Sequence, residues 1–143
     1  MLIHQISVFM ENRYGSLCGI TEVLAKNGID LRALSVADTT DFGILRLIVS
    51  QPEKAVQCLK TAGVTVQKTE VIAVSLNDAP GALHTILEIL KEKGIAVEYV
   101  YAFITRKDAD ACVILRVEDN EQAIAALTAA GQKLLTASEI YDI

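Results

Sequence analysis

Strand-like alternation and helix-like spacing take turns along this chain. Leu2 to Met10 is dense in Ile, Val and Phe and predicts a strand. Glu11-Asn12-Arg13-Tyr14-Gly15 predicts a turn, with glycine supplying backbone freedom. Leu17, Ile20, Val23 and Leu24 then recur at helical spacing, and Gly28 predicts the helix end. Ile29 to Ala37 reads as extended, Asp38-Thr39-Thr40-Asp41 as a turn, and Ile44 to Val49 as the returning strand of a hairpin. Pro52 and Glu53 open a second helix carrying Ala55, Val56 and Leu59 and ended by Gly63, before a last strand from Val64 to Val66.

The same order then repeats. A shift of 66 places Ile6, Val8, Gly15, Leu17, Ile20, Glu22, Leu24, Gly28 and Ile29 on Ile72, Val74, Gly81, Leu83, Ile86, Glu88, Leu90, Gly94 and Ile95. A strand from Val71 to Leu76 leads through Asn77-Asp78-Ala79-Pro80-Gly81 into a helix with Leu83, Ile86, Leu87 and Leu90, stopped by Gly94. Hairpin strands are expected near Ile95–Thr105 and Ala111–Val117, and a final strand near Lys133–Ala137. Beyond the hairpin the register is 68, aligning Glu53, Leu59 and Gly63 with Glu121, Leu127 and Gly131. The second hairpin loop, Arg106-Lys107-Asp108-Ala109-Asp110, is thus two residues longer. Each copy is βαββαβ, a ferredoxin-like α+β unit with both helices on one face of an antiparallel sheet. The expected domains are residues 1–68 and 69–143, joined at the polar stretch Gln67-Lys68-Thr69-Glu70.

Composition narrows the function. With 52% hydrophobic residues in 143, the chain can bury one sizeable core or two small ones. A net charge of −5 without a basic run argues against nucleic acid or an anionic membrane as partner. Cys18, Cys58 and Cys112 lie far apart in apolar patterns, the usage of a reduced compartment. Met1 leads directly into a strand and no apolar run reaches the length of a membrane span, so a cytoplasmic protein is expected.

The two strand-to-helix junctions carry the clearest chemical signal. Pro80 is expected at the first helical position, and Gly81 lets a ligand approach the backbone. The amides of Gly81, Ala82 and Leu83 would then face outward from a helix start, which favours an anion such as a carboxylate. Asn12 and Asp78, at matching positions, could reach an ammonium group. Read without a ligand, the same residues are simply good turns between a strand and a helix.

Asn12-Arg13-Tyr14-Gly15-Ser16-Leu17, followed by Gly28-Ile29-Asp30, resembles the ACT domain, a small-molecule-binding module of amino acid metabolism. Glu11-Asn12-Arg13 with Gly15 is especially similar to the serine-binding regulatory domain of phosphoglycerate dehydrogenase. Asn77-Asp78-Ala79-Pro80-Gly81-Ala82-Leu83 with Gly94-Ile95 is similar to the commoner Asp-x-Pro-Gly-x-Leu form of the family. The resemblance implies sensing of a free amino acid where two ACT domains meet, by the loop after the first strand of one and the start of the second strand of the other. Carried over, it implies two pockets. One joins the loop Asn12–Leu17 to Ala96, Val97 and Tyr99 and could take a bulky side chain against Tyr99 and Tyr14. The other joins the loop Asp78, Ala79, Pro80, Gly81, Ala82 and Leu83 to Asp30 and Leu31, and its two carboxylates would call for an ammonium-rich ligand. It further implies a free-standing, non-catalytic regulator of a separate enzyme, with no cofactor, and the unpaired edge strands of such units make a two-fold homodimer the expected assembly. The alternative is an assembly subunit that kept the interface and lost the ligand.

Other residues carry plainer readings. His4 and His84 have no Cys or His at metal-ligand spacing. Cys18 has no nearby base, so core-facing packing is expected rather than a nucleophile. Tyr99, Tyr101 and Phe103 alternate on one strand face, suiting a core or an inter-domain contact. Arg46 and Arg116 are expected as solvated strand positions. An RNA-binding platform would need aromatic residues on the central strands, and Gly43–Ser50 has none. Acylphosphatase-like chemistry would rest on Arg13 alone, since the second copy has Ala79 there.

Overall fold

A computed structural model describes residues 2–38, 41–104 and 110–142. The elements are β1 (Leu2–Glu11), α1 (Ser16–Lys26), β2 (Leu31–Asp38), β3 (Phe42–Val49), α2 (Pro52–Thr61), β4 (Thr65–Asn77), α3 (Ala82–Glu92), β5 (Val97–Ile104), β6 (Asp110–Val117), α4 (Asn120–Ala129), β7 (Lys133–Leu134) and α5 (Ala137–Tyr141). The expected loop residues Thr39, Thr40 and Arg106–Ala109 lie outside the described residues. The chain forms two compact units, one of His4–Thr69 and one of Glu70–Tyr141 with Leu2 and Ile3.

In the first unit the strands lie in the order β2–β3–β1, all antiparallel, with Val8 opposite Leu45 and Val36 opposite Leu45 on the other side. Alternation puts Ile6, Val8, Leu45, Leu47 and Val49 on one face, where they pack with Ile20, Leu24, Ala55 and Leu59 of the two helices. Leu24 is 1% exposed, so its burial contributes about 1.5–3 kcal/mol. The opposite face carries Gln5 and Ser7, both buried, and the Gln5 amide satisfies itself on the Ser7 hydroxyl at 3.1 Å.

The second unit repeats this build in the order β7–β4–β6–β5. Ile72, Val74, Val113, Leu115 and Val117 meet Ile86, Leu90, Ala123 and Leu127. Each unit is thus a ferredoxin-like α+β layer with its helices on one side, as the alternation predicts. Both first helices end in a glycine with positive φ, Gly28 at 66° and Gly94 at 69°. There the amides of Ile29 and Ile95 reach back to the Leu24 and Leu90 carbonyls, closing the last turn.

Three expectations are corrected. The strands expected at Val64–Val66 and Val71–Leu76 are one 13-residue strand, β4, and Gln67–Glu70 lies inside it. A ladder needs only backbone groups, so polar side chains on solvent-facing positions do not interrupt it. The expected strand Lys133–Ala137 is two residues long and is followed by a helix, α5, absent from the sequence reading. That helix begins on a capping box. The Thr136 hydroxyl accepts from the Glu139 amide at 3.4 Å, and the Thr136 amide donates to the Glu139 carboxylate at 2.8 Å.

Candidate functional site

The loop after β1 and the loop after β4 share one geometry. Arg13 N–H donates to the Glu11 carbonyl at 2.9 Å, and Ala79 N–H to the Asn77 carbonyl at 2.8 Å. Gly15 and Gly81 then adopt the left-handed conformation, with φ 81° and 88°, and stand as the N-caps of α1 and α3. No side chain caps either helix start. Pro80 is therefore not the first helical residue but belongs to the turn before the cap, a correction that follows from the glycine taking the cap. The Ala82 amide is also partly engaged, donating to the Ala79 carbonyl at 3.3 Å.

Beneath each loop opens a cleft contained within its own unit. The first, of about 470 Å³, has one wall of Phe9, Met10 and Glu11 from β1 and a second of Arg13 and Gly15 from the loop with Ser16, Gly19, Ile20 and Val23 of α1. Its third wall is Ala62, Gly63, Val64 and Thr65, where α2 ends and β4 begins. The second, of about 390 Å³, has Ser75, Leu76 and Asn77, then Ala82 and Thr85, then Gly131, Gln132 and Lys133, with Asp110 at the hairpin side. Phe9, Met10, Glu11, Ser16 and Gly19 of the first match Ser75, Leu76, Asn77, Ala82 and Thr85 of the second through the shift of 66, and Gly63–Thr65 match Gly131–Lys133 through the shift of 68. In a βαββαβ unit the end of the first strand, the start of the first helix and the end of the second helix share one end of the sheet. The sequence reading missed that third wall, although the paired glycines Gly63 and Gly131 marked it.

The remaining candidate residues fall in other places. Asn12 is exposed and its amide donates to the Asp41 carbonyl at 2.9 Å; Tyr14 is exposed outside the cleft, as are Asp78, Ala79 and Pro80. Leu17 and Leu83, 40% and 36% exposed, sit on the helix starts. Asp30 and Leu31 follow the far end of α1, an 11-residue helix, so within their unit they lie about 16 Å of helix away from the loop. The Asp30 amide donates to the Ser50 hydroxyl at 3.1 Å, and its carboxylate pairs with Arg32. That pairing offsets the charge from which a need for an ammonium-rich ligand was expected. Ala96 lines a separate cleft of about 530 Å³ with Leu2, Glu70 and Asn120, and Val97 packs on the core of its unit. Tyr99 stacks on Tyr101 at 6.5 Å.

Charge at the first cleft is local and mixed. The Arg13 guanidinium lies 3.3 Å from the Glu11 carboxylate, both well exposed. Elsewhere, Cys18 is exposed rather than core-facing, because the buried stripe of α1 is Ile20 and Leu24. Cys112 is buried, and burial pushes its thiol up to about 12. Arg116 is half-buried rather than solvated, held by Glu98 at 3.3 Å and by the Glu70 carbonyl at 3.1 Å. His84 stands exposed, 3.7 Å from Glu88. No helix among the described residues is long and apolar enough to cross a membrane.

The ACT domain pair family matches residues 1–139. The chain matches no curated protein at a significant level. Among solved structures, protein BT0572 from Bacteroides thetaiotaomicron is 40% identical, with a TM-score of 0.93 over 100% of this chain and 98% of that one. The regulatory subunit of aspartate kinase from Thermus thermophilus, in its ligand-free form, is 17% identical, with a TM-score of 0.64 over 90% and 93% of the two chains. Its counterpart from Thermus flavus is 18% identical, with a TM-score of 0.61 over 92% and 94%. The likeness to these two subunits is one of fold.

Proposed function

We propose that this chain, which belongs to the ACT domain pair family, is a non-catalytic regulator that binds a free amino acid and passes the signal to a separate enzyme of amino acid metabolism. One observation carries the reading. The same uncapped helix start, set by a left-handed glycine, stands over a cleft in both units. A helix start that no side chain caps suits a carboxylate, and Asn12 or Asp78 beside it suits an ammonium group. In this reading the ligand touches the loops Asn12–Leu17 and Asp78–Leu83, with Asp30, Leu31, Ala96, Val97 and Tyr99 as the second set of contacts. The protein acts as a homodimer in the cytoplasm, without a cofactor.

The reading is tested by titrating the full chain and two variants, Asn12→Ala and Asp78→Ala, with the L-amino acids that raise its melting temperature. Binding to the native state raises that temperature by mass action. Loss of binding in one variant or both is the expected result. Unchanged binding in both would remove the loops from the site, and a flat screen would favour an assembly role without a ligand.

A further inference from the structure

Helix α1 carries a glycine in its interior that the fold does not require. The Gly19 amide donates to the Gly15 carbonyl at 2.9 Å, and Gly19 is not among the glycines with positive φ. A methyl group built on it would meet no atom within 4 Å. Neither backbone conformation nor packing therefore excludes alanine, which is the better helix former. What Gly19 does is line the first cleft, where the missing side chain leaves open space.

The second copy supplies the contrast. Gly19 corresponds to Thr85, which lines the second cleft and bonds its hydroxyl to the Gly81 carbonyl at 3.2 Å. The third walls differ in the same sense, with Val64 against Gln132 and Thr65 against Lys133. The first cleft is thus an apolar slot of Met10, Ile20, Val23 and Val64, opened by Gly19. At its mouth the Arg13 and Glu11 charges stand 3.3 Å apart, complementary to the carboxylate and ammonium of a zwitterion. The second cleft is smaller and more polar, with Ser75, Asn77, Thr85 and Gln132 beside the charged Asp110 and Lys133.

We infer that the first cleft takes a free α-amino acid with an apolar side chain, one per chain, and that Gly19 determines this specificity by leaving room for the side chain. The inference rests on the proposed amino acid sensing and adds the ligand class and the copy that holds it.

Calorimetric titration of the full chain with alanine, valine, leucine, methionine, phenylalanine, serine, aspartate and lysine tests it, beside Gly19→Ala, Gly19→Thr and Thr85→Gly. One apolar ligand per chain is expected, with Gly19→Thr weakening it by about tenfold or more. Gly19→Ala should raise the ligand-free melting temperature by about 2–4 °C while weakening binding, which also shows that the variant folds. Thr85→Gly should leave apolar binding unchanged. If Gly19→Thr binds the apolar ligand as well as the parent, if only polar amino acids bind, if two apolar ligands bind per chain, or if Thr85→Gly loses apolar binding, the inference falls and amino acid sensing stands. If nothing binds, both fall.

Discussion

Gly15 and Gly81, 66 positions apart, hold the same backbone, φ 81° with ψ −4° and φ 88° with ψ −8°, and each starts the first helix of its unit. A methyl group added at either would meet no atom within 4 Å. The cost of substitution is therefore the left-handed conformation itself. Gly15→Ala and Gly81→Ala should each lose about 1–2 kcal/mol in urea denaturation. Because the loop over the first cleft turns on Gly15, Gly15→Ala should also weaken the amino acid response.

Thr136 and Glu139 hold the start of α5, and Ile140 beyond them is fully buried. Thr136→Ala should cost about 1 kcal/mol, read as a shift in the urea midpoint. Bonds from the Thr136 amide and hydroxyl hold the Glu139 carboxyl below its usual range. Its contribution is present above the unfolded pKa and is lost as pH falls through the depressed folded value. Glu139→Gln should flatten the acid limb of the stability curve.

Cys112 has the opposite sign. Burial raises its thiol from an ordinary 9.0 to about 12, so the unfolded chain releases the proton first. Stability from this group is complete below pH 9.0 and declines as pH rises towards about 12. Cys112→Ala should show a shallower alkaline loss in urea titrations. At neutral pH a thiol reagent should modify exposed Cys18 quickly and Cys112 only on unfolding.

Arg116 ties β6 to Glu98 and to the Glu70 carbonyl from a half-buried position. Arg116→Ala should cost about 1–3 kcal/mol, since charged groups lose their hydrogen-bond partner in partial burial. An exposed pair such as Glu22 with Lys26 should show less than about 1 kcal/mol in the same assay.

Much of this architecture is legible in the residues. Ile6, Val8, Leu45 and Leu47 alternate because one sheet face packs on the helices, and Ile20 and Leu24 recur because one helix face packs on the sheet. Those two periods, repeated at a shift of 66, are enough for two βαββαβ units. The uninterrupted β4 was hidden because Gln67–Glu70 is polar, and pairing between backbones leaves no hydrophobic trace. The helix α5 was readable in Thr136-Ala137-Ser138-Glu139 but was overshadowed by Leu134 and Leu135 beside it.

The site was legible only in part, for a similar reason. Asn12–Leu17 and Asp78–Leu83 announce themselves locally, by a glycine between a strand and a helix. The wall made by Gly63–Thr65 reaches the first cleft through tertiary structure, some fifty residues along the chain, and neither period reports it. The meaning of Gly19 emerges only beside Thr85, once both are seen lining matching clefts.

Calorimetric titration of the full chain with each L-amino acid, and with the D-enantiomer of any that binds, tests the central claim most directly. The account predicts saturable binding of an L-amino acid, absent for its D-enantiomer and accompanied by a higher melting temperature. No heat and no shift from any of the twenty at millimolar concentration would contradict it.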